Sequence, residues 1–204
     1  MNAFIMEKNG IKKVKRGLTK RPSCAIMIAQ SRKELIKMKT KKMVILAVLT
    51  ALYVALSAMM KIPFIGNISL DLGYIAFVVA LMLFGYEGII VGVLGCALES
   101  ILFSAYGFSI SWAVGNLLVG LIFAFGVEEA DYKPTIYMAF AAVGCLIGIG
   151  IVKTYIESYL YAIPLAIKFP KNLVATAVDT LTMWIGIWIF NKKTLDKLHR
   201  VCYN

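Results

Sequence analysis

No charged residue lies between Lys42 and Lys61, and the run is long enough to cross the roughly 30 Å hydrocarbon core of a bilayer as a helix. Within it Ala47, Ala51 and Ala55 recur at every fourth position and Ala58 extends the stripe, so they share one helical face. Small side chains at that spacing let a second helix approach closely, which is how helices associate where lipid removes the hydrophobic drive. Leu and Val cover the other faces and suit lipid. The spacing serves two readings, packing within the chain's own bundle or docking on another protein. A signal peptide is the rival for this segment, because Ala-Leu-Ser-Ala (55–58) offers small residues for cleavage. The run is longer than a usual signal core and further apolar spans follow it, so a retained helix is expected.

Composition supports a membrane protein: 60% of the 204 residues are hydrophobic, and that length suits one compact bundle rather than several soluble domains. The formal charge of +11 is unevenly distributed. Residues 1–42 hold 13 of the 22 Lys and Arg, with only Glu7 and Glu34 opposing them, so the rest of the chain is neutral. Next to a span, such a basic segment sets orientation and touches anionic lipid; no nucleic-acid partner is expected. Cys24, Cys96, Cys145 and Cys202 have no metal or disulfide spacing, and the single His199 lies near the C-terminus. No metal and no cofactor are expected.

The chain reads as all-α, a polytopic bundle of six transmembrane helices with both termini cytoplasmic. Residues 1–37 are a basic, flexible cytoplasmic extension, 38–193 the membrane domain and 194–204 a cytoplasmic tail. Met38 opens a short basic cluster that resembles a start, so residues 1–37 are expected to be dispensable. After the first span come Leu70–Phe84, Ile89–Phe103, Ser109–Val127, Thr135 to about Tyr155, and Lys171–Phe190. Gly85-Tyr86-Glu87-Gly88 breaks the second span from the third, and Gly88, Gly92 and Gly95 give the third a close-packing face. Segments 61–69, 104–108 and 158–170 read as outer loops, the last because it contains Pro164 and Pro170. The basic residues before span one and Lys192, Lys193, Lys197 and Arg200 after span six put both termini inside.

Polar residues within spans are costly and need a partner or a ligand. With this topology Glu99, Trp112, Asn116, Lys153 and, on one stripe of the last span, Asn172, Thr176 and Asp179 all fall in the outer half. Lys153 and Glu157 are four apart, with Tyr155 and Tyr159 beside them. The plain readings are an interfacial ion pair, an aromatic belt and a snorkelling Lys171. Asp179 and Glu99 lie deeper and are harder to assign to structure alone. A polar outer half above an apolar inner half suits capture of a solute rather than a channel. The chain has no Gly-x-x-x-x-Gly-Lys loop, so it is not expected to be an enzyme, and any ATPase is a separate chain.

Three stretches resemble the substrate-binding (S) components of energy-coupling factor (ECF) vitamin transporters. They are the Ala47-x-x-x-Ala51-x-x-x-Ala55 face, the segment from Ile68-Ser-Leu-Asp-Leu-Gly-Tyr-Ile through Leu83-Phe-Gly-Tyr-Glu-Gly88, and Gly107-Phe-Ser-Ile with Gly120-Leu-Ile. The resemblance covers about residues 38–193 and is closest to the folate- and pantothenate-type subgroup. Tyr86 departs from it, standing where the family's turn usually has proline.

The resemblance implies a membrane-embedded subunit that binds a vitamin or related small molecule from outside and passes it to a transmembrane coupling subunit driven by two ATPases. Glu99, Asn116, Lys153, Asn172, Thr176 and Asp179 would supply polar contacts and Trp112 and Tyr159 would stack on a ring, while Ala47, Ala51 and Ala55 would dock on the coupling subunit. The alternatives are a cell-envelope scaffold or assembly protein, which leaves the outer polar groups without a use, and a stand-alone secondary transporter, which needs a polar route to the cytoplasm.

Overall fold

A computed structural model describes residues 24–59, 62–65, 68–103, 109–129, 133–190 and 192–203. The chain divides into two compact units, Met1–Lys37 and Met38–Asn204. Most of the extension expected over residues 1–37 lies outside the described residues; from Cys24 the chain is helical. The order is α1 (Cys24–Met59), strands β1 (Ile62–Ile65) and β2 (Ile68–Leu70), then α2 (Gly73–Phe84), α3 (Ile89–Phe103), α4 (Ile110–Glu129), α5 (Pro134–Cys145), α6 (Thr154–Tyr161), α7 (Leu165–Ile189) and α8 (Lys192–Tyr203). A π-helical segment, Leu146–Lys153, joins α5 to α6 without a break. Within the segment read as a loop at 61–69, the described residues of β1 pair antiparallel with β2, Ile62 opposite Leu70.

Among the described residues, five helical stretches are long and apolar enough to cross a membrane: Thr40–Met59, Gly73–Phe103, Ile110–Glu128, Pro134–Tyr161 and Leu165–Ile189. The second folds back on itself and supplies two passes, so the bundle is six-membered. The reversal falls at Gly85, whose φ of +54° is a conformation that side chains with a Cβ avoid. At the end of a short 3₁₀ turn, Gly88 lies directly against the Ala80 backbone, where a Cβ would collide, so α2 and α3 pack as a tight hairpin. With 12 residues, α2 rises only about 18 Å, yet nearly all its side chains are buried. A helix apolar on every face belongs at the centre of a bundle, and α2 supplies most of the core together with Tyr53, Val119, Phe123, Ile149, Met183 and Ile187.

Helix α1 leans on the bundle through Leu46, Thr50, Tyr53 and Ser57, all buried. These recur at steps of four, three and four, the seam spacing of packed helices. Ala47 and Ala51 each follow a seam residue by one position, about 100° around the helix, Ala55 lies midway between Tyr53 and Ser57, and all three are exposed. Of the five stretches, Thr40–Met59 is the least buried.

Two glycines set the spacing on the other side. Gly148 approaches the Gly115 carbonyl so closely that a Cβ would not fit, and at Gly144 a Cβ would crowd the Val119 backbone. The Gly144-x-x-x-Gly148 spacing thus brings α4 and the α5–π pass to backbone contact. The loop expected over 158–170 is shorter in the structure. Helix α6 runs to Tyr161, Ala162 turns in the left-handed region and α7 starts at Leu165 with Pro170 inside it. Pro164 lies just before the helix, where a fixed φ does no harm, and Pro170 removes a single ladder bond from the outer end of a 25-residue helix. The tail expected at 194–204 is helix α8, with Leu195 and Leu198 against the core and Lys192, Lys193, Lys197 and Arg200 exposed.

Candidate functional site

The two ends of the bundle differ. At the inner end, Lys42 pairs with Glu87 at 3.1 Å, and both line a groove of about 390 Å³ with Phe84, Tyr86, Ala124, Val127 and Glu128. The start of the first membrane pass, the α2–α3 turn and the end of α4 are thus on one side, as alternating passes require. The buried polar groups gather toward the other end.

Their centre is Glu157 on α6. Its Oε1 lies 3.3 Å from Lys153 Nζ and accepts from Ser111 Oγ at 3.4 Å. Its Oε2 lies 3.1 Å from Lys168 Nζ and accepts from Asn172 Nδ2 at 3.2 Å. Asn172 also donates to Thr154 Oγ1 at 3.0 Å and accepts from Lys153 Nζ at 3.2 Å. The ammonium of Lys153 sits 3.8 Å from the centre of the Trp112 ring, a cation–π contact. Lys153, Glu157 and Asn172 are all buried. An ammonium has three donors, and Lys153 directs them at a carboxylate, an amide oxygen and a ring face. The network joins α4, the π segment, α6 and α7 into a closed unit.

Local geometry explains its position. A π-helix closes each bond one residue further along than an α-helix, which changes the phase at which later side chains face their neighbours. Lys153 is the last π residue, and Thr154, at the return to α geometry, donates its hydroxyl to Gly150 O at 2.6 Å. That bond engages a carbonyl the change of ladder would otherwise leave strained. Irregular turns of this kind recur at functional sites.

The other expected residues fall in distinct places. Asn116 is fully buried, accepts from Tyr74 OH at 2.6 Å and donates to Gly92 O at 3.5 Å, tying α2, α3 and α4 together. Thr176 returns its hydroxyl to Asn172 O at 2.8 Å. Glu99 is half-buried, one turn beyond Gly95, which packs on the Tyr53 ring. Tyr159 departs from its expected stacking position: it is 89% exposed. It follows Glu157 by two residues, about 200° around the helix, so a chain that buries Glu157 turns Tyr159 out. Asp179 is buried in the middle of α7.

Sequence reasoning did not include Ser111, Thr154, Lys168 or Tyr74. Hydroxyls in apolar spans give no periodic signal. Lys168 lies in the segment read as loop. Asp71, between β2 and α2, accepts from Ser57 Oγ and from the Gly73 backbone N–H at 2.8 Å, and it fixes the outer end of α1 to the start of α2.

Comparison with known proteins places this geometry in a family. The solved S-component for biotin from an ECF-type ABC transporter has a similar fold, with a TM-score of 0.57 at 16% identity, covering 80% of this chain and 93% of that one. UPF0397 protein YdcD of Lactococcus lactis subsp. lactis (strain IL1403) is 30% identical over 147 residues, 67% of this chain and 80% of that protein. The folate- and pantothenate-type flavour of the sequence is a finer statement than these likenesses carry. The pattern of the ECF-type riboflavin transporter S component family matches residues 37–195, so this chain, a multi-pass membrane protein, belongs to that family.

Proposed function

We propose that the chain captures a vitamin or closely related small molecule from the outer face of the cell membrane and delivers it inward through a coupling subunit and two ATPases. The family supports a vitamin-binding membrane subunit, and its description makes riboflavin the first molecule to try. The observation that carries the reading is the contrast between the two halves of the bundle. Lys153, Glu157, Asn172, Thr176 and Asp179 are buried together from the outer end to the middle, whereas the helix at the centre, α2, is almost wholly apolar. A polar route through the bundle is what a stand-alone transporter needs. A scaffold has no use for buried charges on one side. Exposure of Ala47, Ala51 and Ala55 supports α1 as the docking face, since a flat small-residue stripe is free for a partner helix.

The test is a riboflavin titration of the purified protein, followed by quenching of flavin fluorescence, with mass spectrometry of small molecules that co-purify. One-to-one saturation by riboflavin, or one stoichiometric co-purified solute, is expected. A protein that carries no small molecule and binds no flavin contradicts the capture reading.

A further inference from the structure

Among the buried polar groups of the bundle, Asp179 stands apart. It is 3% exposed, and its Oδ2 has no hydrogen-bond partner among the described residues. A buried acceptor left unpaired is costly, and a charged one more so. The donors around it are all directed elsewhere. On its own helix, Thr176, Thr180 and Thr182 return their hydroxyls to Asn172 O, Thr176 O and Val178 O. Two tyrosines are buried in the same core. Of these, Tyr74 donates to Asn116 at 2.6 Å and Tyr53 to Asp71 at 3.5 Å. Neither Lys153 nor Asp71, charged groups toward the outer end, offers it a donor. Lys153 already faces Glu157, Asn172 and Trp112, and Asp71 has the same sign.

Asp179 lies seven residues after Asn172, about 10 Å deeper along α7, so it is below the Glu157 network rather than part of it. We propose that Asp179 is the acceptor that anchors the captured molecule, and that the substrate is one that presents an N–H or O–H donor, not a carboxylate, to the middle of α7. The inference rests on the capture reading and sharpens it. Lys153, with its donors engaged within the protein, then acts as a positioning residue that holds Trp112, Glu157 and Asn172 in place, and the ligand's own donor completes the one open valence. A carboxylate brought to this point would find the Lys153, Thr176, Tyr74 and Tyr53 donors already engaged, and any acidic group on the substrate is expected to point away from α7.

The test separates an anchor from a structural carboxylate. Wild type, Asp179→Asn and Asp179→Leu are purified in detergent and incubated with an equimolar mixture of riboflavin, biotin, folate and pantothenate. Native mass spectrometry then reads the bound fraction, and thermal unfolding without added vitamin reads stability. Wild type is expected to carry one vitamin. Both variants are expected to bind it roughly 10- to 100-fold more weakly, while the vitamin-free proteins unfold at the same or a higher temperature because an unpaired buried acceptor is gone. If wild type carries a vitamin and the variants retain it, Asp179 is not the anchor and capture stands. If the variants lose both vitamin and stability, Asp179 is structural and the inference is overturned. A wild type that carries none of the four and co-purifies with no other small molecule removes the capture reading, and this inference with it.

Discussion

The ammonium of Lys153 stands 3.3 Å from the carboxylate of Glu157, one helical turn away on the same pass, with both side chains sealed from solvent. Charges removed from water require close geometry and further hydrogen bonds to offset desolvation. Here Ser111, Asn172 and Lys168 supply them to Glu157, and Asn172 with the Trp112 ring supplies them to Lys153.

Removing the shared carboxylate should therefore cost far more than removing the outer lysine. Glu157→Gln leaves Lys153 and Lys168 facing each other with no counter-charge, and breaking a buried pair in this way typically costs about 3–5 kcal/mol. Lys168 is partly exposed, so Lys168→Ala should cost about 0–1 kcal/mol, as for rim ion pairs. Denaturant unfolding of the two variants in detergent reads the difference; equal effects would mean that Glu157 is not the centre of the network.

A second prediction concerns the α2–α4 contact. Tyr74→Phe keeps the ring edge that packs on Phe77 but leaves the Asn116 Oδ1 without its 2.6 Å donor. An orphaned buried acceptor costs about 1–3 kcal/mol, visible as a lower unfolding midpoint. Replacing both partners, Tyr74→Phe with Asn116→Leu, should recover part of the loss, because no polar atom is then stranded. A double variant less stable than the sum of the two single ones would argue against the bond.

Much of this architecture was legible in the chain. Uncharged runs mark the passes, Gly85 to Gly88 marks the fold-back between α2 and α3, and the four-residue spacing of Lys153 and Glu157 puts them on one face. The spacing of Ala47, Ala51 and Ala55 could not say which way the stripe faces, because Leu46, Thr50, Tyr53 and Ser57 form a second regular seam on the same helix. Lys168 was hidden by Pro164 and Pro170, which read as loop although one precedes α7 and the other is tolerated within it. The π segment was hidden for a different reason. Its ladder shifts by one residue at a glycine-rich stretch packed on α4, and no pattern of 3.6-residue period registers such a shift.

Deleting residues 1–37 should leave insertion and vitamin binding unchanged. Lys39, Lys41 and Lys42 still precede the first pass and hold the inside-positive bias. Labelling of single cysteines placed at Glu87 and Tyr161 from either side of the membrane reads the orientation. An inverted or non-binding truncated protein would show that the basic segment has a further role.

That the chain captures a solute and hands it on through α1 is tested most directly by riboflavin uptake into vesicles containing this protein with its coupling subunit and ATPases, comparing wild type with Ala51→Trp and Ala55→Trp. Both alanines are exposed and clear of the buried seam, so an indole there should hold a partner helix away and forfeit short-range packing without disturbing the polar groups of α6 and α7. The expected result is ATP-dependent uptake by wild type, none by either variant, and unchanged vitamin binding by all three isolated proteins. Uptake that survives both substitutions, or binding lost together with uptake, would contradict it.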